Sequence, residues 1–303
     1  MVDITLLGTG GGMPTPFRYL SSLLINYAGR KILVDAGEGT QVSMKLLGWG
    51  YKTVDAICVT HGHGDHVNGL PGLLATIGNS GRTEPITIIG PEGIGKIVNG
   101  LRVVVPYLPY ELEIIENPEE PIEILRGRNP LTIEVLKLDH SAPCLGYSFY
   151  IKRAAVFNVE KAIDNNIPRY FWNMLQKGII CEDNGRRFLP GMVLGEERKG
   201  IKISMITDTR PIEAIKDFIR DSDLFICEGT YGTQGDLHKA IKNKHMTFKE
   251  AAILAKEGNV KEMLLTHFSP SIVSPEIYLD NAKKVFLNTS VGYDRIVKSL
   301  DFE

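Results

Sequence analysis

Short runs of β-branched and aliphatic residues, each stopping at an ionisable side chain, recur along this chain and dominate its hydrophobic pattern. Six of them, 31–35, 56–61, 133–140, 202–208, 223–228 and 262–267, end on Asp35, His61, His140, Asp208, Glu228 and His267. Such runs predict strands. Because a sheet lines up consecutive strand ends along one edge, tips of this kind predict a single site there. Helices are marked by their caps. Gly69-Leu70-Pro71-Gly72-Leu73-Leu74 opens one, with Pro71 tolerated because first-turn amides need no intrahelical partner. Thr247-Phe248-Lys249-Glu250 is a capping box whose helix runs through Ala251 to Ala255 and stops at Gly258, which puts His245 just before a helix N-terminus.

The least periodic stretch runs from about 151 to 200 and carries the turn signal Glu182-Asp183-Asn184-Gly185. With no composition break or repeat elsewhere, the expectation is one domain over 1–303 with an arm-like insertion there. A length of 303 residues with 43% hydrophobic content excludes a disordered chain. Lys and Arg total 34 against 36 Asp and Glu, a net charge of -2, which excludes a general nucleic-acid coat and leaves room for a local basic rim. No stretch is long and apolar enough to span a bilayer, and residues 1–12 show no basic, apolar leader, so a cytoplasmic protein without membrane partners is expected. Cys58, Cys144, Cys181 and Cys227 stand singly, as reduced, buried thiols would.

Chemistry concentrates in the histidines. Of seven, three fall in Thr60-His61-Gly62-His63-Gly64-Asp65-His66. Imidazole and carboxylate together suit zinc, manganese or iron, and two ligands one residue apart at a strand end can enter one coordination sphere. Asp65 and His66, turned by Gly64, are placed for a second ion. His140 and His267 add nitrogen ligands from other strand tips, and Asp208 adds a carboxylate able to bridge. Two ions about 3.5–4 Å apart lower the pKa of a bridging water and clamp the attacked group, which suits hydrolysis of a phosphodiester or a strained acyl bond. No serine or cysteine nucleophile is then needed, and no G-x-S-x-G elbow occurs. Gly8-Thr9-Gly10-Gly11-Gly12-Met13 resembles a dinucleotide loop, but Pro14 and Pro16 prevent the helix such a loop requires, which leaves a tight turn near the site.

The histidine cluster resembles the signature of the metallo-β-lactamase fold, and its surroundings resemble the ribonuclease Z family of endonucleases, which trim the 3′ trailer from precursor transfer RNA. The resemblance includes the Leu7 to Pro14 run, Leu33-Val34-Asp35-Ala36-Gly37-Glu38-Gly39-Thr40-Gln41, Gly69 to Leu74, Asp208-Thr209-Arg210 and Leu265-Thr266-His267. It implies a four-layer αββα sandwich with a projecting arm. It also implies that His61, His63 and His140 hold one zinc, that Asp65, His66 and His267 hold the other, and that Asp208 bridges them. Glu228 and His245 would protonate the departing 3′ oxygen, with Asp65 doubling as a base toward the attacking water. A homodimer, the arm of one subunit serving the site of the other, is implied as well. Two other readings compete: a hydrolase of the same fold acting on a small phosphodiester, lactone or thioester, and a metal-holding RNA-binding protein with little turnover.

Several cations have two readings each. Arg210 is either a phosphate contact or half of a structural pair. In the arm, Lys152, Arg153, Arg169, Lys177, Arg186 and Arg187, interleaved with Tyr170, Phe171 and Trp172, either hold phosphates and stack bases or form a solvated face over an apolar contact. Lys239, Lys242, Lys244 and Lys249 around His245 are the better candidates for a phosphate-binding rim.

Overall fold

The computed structural model describes residues 1–125, 127 and 129–303. Its first sheet is laid down in chain order by β1 (Val2–Gly8), β2 (Ser22–Tyr27), β3 (Arg30–Val34), β4 (Val54–Cys58), β5 (Ile86–Gly90) and β6 (Leu112–Glu116). β1 to β3 form an antiparallel meander, after which the pairing turns parallel and aligns Leu33 with Ile57 and Ile57 with Ile88. Those three side chains share an apolar cluster with Leu73 and Ile77 of the helix Leu70–Asn79 and Val98 of the helix Ile94–Leu101. At alternate positions Ile32, Val34, Ala56 and Cys58 are equally buried, as parallel strands covered on both faces must be. Pro71 sits in the first turn of its helix, where its missing amide costs nothing.

The later strands are β7 (Ile122–Leu125), β8 (Leu131–Lys137), β9 (Leu145–Arg153), the hairpin pair β10 (Cys181–Asp183) and β11 (Arg186–Phe188), then β12 (Arg198–Ile206), β13 (Leu224–Glu228), β14 (Met263–Thr266) and β15 (Thr289–Val291). Excluding the hairpin, they form a second sheet in the order β15-β14-β13-β12-β9-β8-β7. From β12 to β15 the pairing is parallel, so Asp208, Glu228 and His267 leave it on the same edge. A last strand, β16 (Val297–Leu300), returns to β1. Phe225, Cys227, Met263 and Leu265 pack with Ala251, Ala252 and Ala255 of the helix Phe248–Glu257. That helix starts at the predicted capping box: Thr247 Oγ1 accepts from the Glu250 amide at 3.3 Å, and the Glu250 carboxylate accepts from the Thr247 amide at 2.9 Å. It ends at Gly258. From β9, Tyr147 donates its hydroxyl proton toward the Val59 carbonyl of the first sheet, 2.7 Å away. The architecture is the expected αββα sandwich.

The chain divides into two compact units, one of Met1–Ile122, Ile133–Phe149 and Lys202–Asp301, the other of Glu123–Thr132, Tyr150–Ile201 and Phe302–Glu303. Within the second, β10 and β11 are joined by Asn184 and Gly185 at φ 49° and 75°, the paired positive values of a tight hairpin turn. Its core gathers Ala162, Ile167, Leu175, Cys181, Phe188 and Val193. Phe171 and Trp172 pack against that core, and the Trp172 indole donates to the Ile167 carbonyl at 2.9 Å. Of the three adjacent aromatics read as base-stacking candidates, only Tyr170 stands mostly in solvent, and its hydroxyl donates to Asp183. All four cysteines are free thiols and buried. Among the described residues no helix is long and apolar enough to cross a membrane.

Candidate metal centre

Every strand tip singled out by the hydrophobic pattern reaches one cluster in the first unit. Three of these residues, Asp35, Asp208 and His267, leave their strands with φ of 59°, 49° and 55°. Non-glycine residues seldom adopt this left-handed conformation, and it concentrates where a site dictates the backbone. His63 caps the short helix Gly64–Val67, which carries Asp65 and His66 back toward the same point.

Two donor groups result. In one, His61 Nε2 lies 2.9 Å from His63 Nδ1, which lies 3.2 Å from His140 Nε2. In the other, His66 Nε2 lies 3.2 Å from His267 Nε2, and both are 3.5 Å from Asp65 Oδ2. Asp208 stands between them with its carboxylate divided. Its Oδ2 faces His61 Nε2 at 3.7 Å and His140 Nε2 at 3.9 Å, while its Oδ1 faces His267 Nε2 at 3.2 Å and His66 Nε2 at 3.5 Å.

In four of the five imidazoles the opposite ring nitrogen is already bound. His66 Nδ1 pairs with Asp35 Oδ2 at 2.7 Å, His140 Nδ1 donates to the Lys244 carbonyl at 3.2 Å, and His61 and His267 turn Nδ1 to the hydroxyls of Thr60 and Thr230, each at 3.1 Å. Outer partners of this kind fix the tautomer and leave the inner lone pairs pointing at one another. Converging lone pairs repel unless a cation sits among them, so the donor set fits divalent metal ions, and imidazole with carboxylate is the set that zinc, manganese and iron accept.

The electrostatics agree. Burial pushes the His61 imidazole down to about 2, the charge of His66 adding to the effect and Asp208 opposing it, so its lone pair is free for an ion. Burial lowers His140 as well. Burial would raise the Asp208 and Asp65 carboxyls, but neighbouring imidazoles hold both well below the usual carboxylate range. For His66 burial, which lowers its pKa, is outweighed by Asp208 and Asp35, which raise it. The buried acids thus already attract positive charge to this point.

Beside the donor groups lie Glu228, fully buried at the end of β13, and His245, whose Nδ1 is 3.2 Å from Glu228 Oε2. The Glu228 carboxylate also accepts from the amides of Thr209 at 2.8 Å and Met246 at 3.0 Å. Burial works against charge on His245, but Glu228, then Asp208 and Asp65, raise its imidazolium to about 9. An open cleft of about 520 Å³ is lined by His63, Asp65, His140, His245 and His267, with Tyr231 and Lys242 on its wall.

All nine residues expected at the site are therefore together: His61, His63, Asp65, His66, His140, Asp208, Glu228, His245 and His267. The cations fare differently. Arg210 is a structural pair: its guanidinium binds Glu250, which caps the helix, and the His245 carbonyl. Of the lysines expected at the rim, Lys242 and Lys244 line the cleft, Lys244 paired with Asp139, while Lys239 is paired with Asp236. Reading the sequence also missed the supporting residues Thr60, Thr230 and Gly11, and the part Asp35 plays behind His66. A Cβ on Gly11 would stand 2.5 Å from the His267 ring, and the Gly12 amide donates to Asp65 Oδ2 at 2.7 Å. The glycine run was the available signal, because backbone that approaches a ligand side chain this closely excludes larger residues.

Comparison with known proteins follows the same lines. Residues 2–167 match the family model described as Anti-Pycsar protein Apyc1. The chain is 60% identical to the ribonuclease Z of Clostridium beijerinckii, with 100% of this chain and 99% of that one aligned. Among solved structures it resembles the metallo-β-lactamase fold protein YhfI from Bacillus subtilis, at a TM-score of 0.70 and 20% identity over 99% of this chain and 100% of that one. It also resembles the short form of human tRNase Z, at 0.68 and 22% over 99% and 100%. The two structures establish the fold. With 60% identity along both whole chains, the protein belongs to the ribonuclease Z family and, through residues 2–167, to the family of the Apyc1 model.

Proposed function

We propose that this protein is a two-zinc endonuclease that removes the 3′ trailer from precursor transfer RNA. The observation that carries the reading is the divided carboxylate of Asp208, one oxygen toward each donor group, beside a buried acid and imidazole pair. His61, His63 and His140 would hold one ion and Asp65, His66 and His267 the other, with Asp208 shared. When bound, such ions supply Lewis-acid polarisation of a phosphoryl group and a lowered pKa for water. Glu228 engages His245 Nδ1 and keeps the ring cationic, which leaves the Nε2 proton for the departing 3′ oxygen. Asp65, held ionised, is an acceptor beside the attacking water. Lys242 on the cleft wall offers a cation to the RNA backbone.

The stretch 151–200 is read as an insertion in a single domain, its exposed cations available to the RNA. Sequence resemblance supports a cytoplasmic homodimer in which this insertion serves the partner's site. Zinc-loaded protein incubated with a precursor transfer RNA, and in parallel with a small chromogenic phosphodiester, tests the reading. Cleavage after the discriminator base supports it. Turnover of the small ester alone points to a general phosphodiesterase, and tight RNA binding without turnover of either points to a binding protein.

A further inference from the structure

Thr230 connects the two halves of this machinery through one hydroxyl. Its Oγ1 is 2.5 Å from Glu228 Oε2, 3.1 Å from His267 Nδ1 and 3.3 Å from His245 Nδ1. A hydroxyl has a single proton to donate and two lone pairs. The shortest contact takes the proton, so Thr230 donates to Glu228 and accepts from His267 Nδ1–H. The side chain is almost completely buried, so water cannot readily replace it.

The same device stands on the first sheet. There Thr60 Oγ1 donates to Asp35 Oδ2 at 2.8 Å and faces His61 Nδ1 at 3.1 Å, while Asp35 itself binds His66. Each sheet thus supplies a buried carboxylate that touches one imidazole directly and a second through a threonine. On the first sheet both imidazoles belong to the donor groups. On the second, one is His267 and the other is the proton donor His245.

Resting on the function proposed above, we propose that Thr230 is a positioning residue that makes Glu228 serve two sites. Glu228 sets the charge of His245 directly, and through Thr230 it fixes the His267 tautomer whose Nε2 lone pair faces the metal position. Metal affinity and proton donation then share one carboxylate, and a change at Glu228 weakens zinc binding even though Glu228 contacts no ion. Outer partners of ligand histidines commonly contribute about 10- to 100-fold to metal affinity.

The test uses the full chain stripped by chelator and titrated with zinc alone, in competition with a chromophoric chelator. Thr230→Val, which keeps shape and removes the hydroxyl, should bind zinc about 10- to 100-fold more weakly. Thr230→Ser should bind like the unchanged chain, Glu228→Gln should lose affinity in the same direction, and combining Thr230→Val with Glu228→Gln should cost no more than the larger single loss. Zinc affinity unchanged in Thr230→Val or in Glu228→Gln overturns the proposal. Should Thr230→Val fail to fold by circular dichroism, Thr230→Ser against Glu228→Gln still decides, since only the second should lose zinc. Because no RNA enters this experiment, a chain that shows the pattern yet leaves precursor transfer RNA intact would sink the function alone.

Discussion

Glu228 Oε2 lies 3.2 Å from His245 Nδ1 in a pocket closed to solvent on the Glu228 side, and each group holds the other in its charged form. For both, burial opposes charge and the partner restores it. In the proposed reaction the leaving 3′ oxygen takes its proton from this pair. His245→Ala should therefore slow cleavage by about 10²- to 10⁴-fold, the usual contribution of a general acid, with zinc content unchanged. Metal analysis of the purified variant checks this, and loss of zinc would make His245 a ligand instead.

The acidity of the pair gives a prediction in pH. In zinc-free protein His245 should titrate near 9 by NMR, above its ordinary 6.5. Its raised pKa means that the stability it contributes is fully present below 6.5 and is lost as pH rises through about 9. Glu228→Gln removes the main source of the rise and should move the titration to lower pH. A His245 signal unmoved by that substitution would show that Asp208 and Asp65 alone sustain the charge.

Stoichiometry should separate a shared ligand from an unshared one. Asp208→Asn touches both donor groups and should reduce occupancy at both, whereas His140→Ala should spare the group of Asp65, His66 and His267. Zinc counted per chain after gel filtration distinguishes them. Equal losses in the two variants would mean that the donor groups do not load independently.

Close packing at the glycine run is testable too. The Cβ of Gly11→Ala would fall 2.5 Å from the His267 ring, so ring or backbone must move. Zinc affinity should fall while the fold, followed by circular dichroism, persists. Wild-type affinity would show that the loop yields without disturbing His267.

How far this was legible in the sequence follows from what each residue depends on. Strand tips ending on Asp208, Glu228 and His267 were legible because parallel strands bring their ends to one edge whatever the details of packing. The cap at Thr247 was legible because a capping box is satisfied within four residues. Thr60 and Thr230 were not, since their value lies in contacts across strands, and threonine before or after a charged residue is common in any strand. Arg210 stayed open between two readings because its partner Glu250 is 40 residues away. Phe171 and Trp172 look like a stacking surface in sequence, whereas a small unit needs them for its own core.

Hydrolysis with a proton delivered to the 3′ oxygen leaves its mark on the chemistry of the two new RNA ends. If His245 protonates that oxygen while water attacks, a precursor transfer RNA should yield a body with a 3′-hydroxyl after the discriminator base and a trailer with a 5′-phosphate. A 2′,3′-cyclic phosphate on the body, the mark of attack by the RNA's own 2′-hydroxyl, would rule out water as the nucleophile and His245 as the donor to the 3′ oxygen.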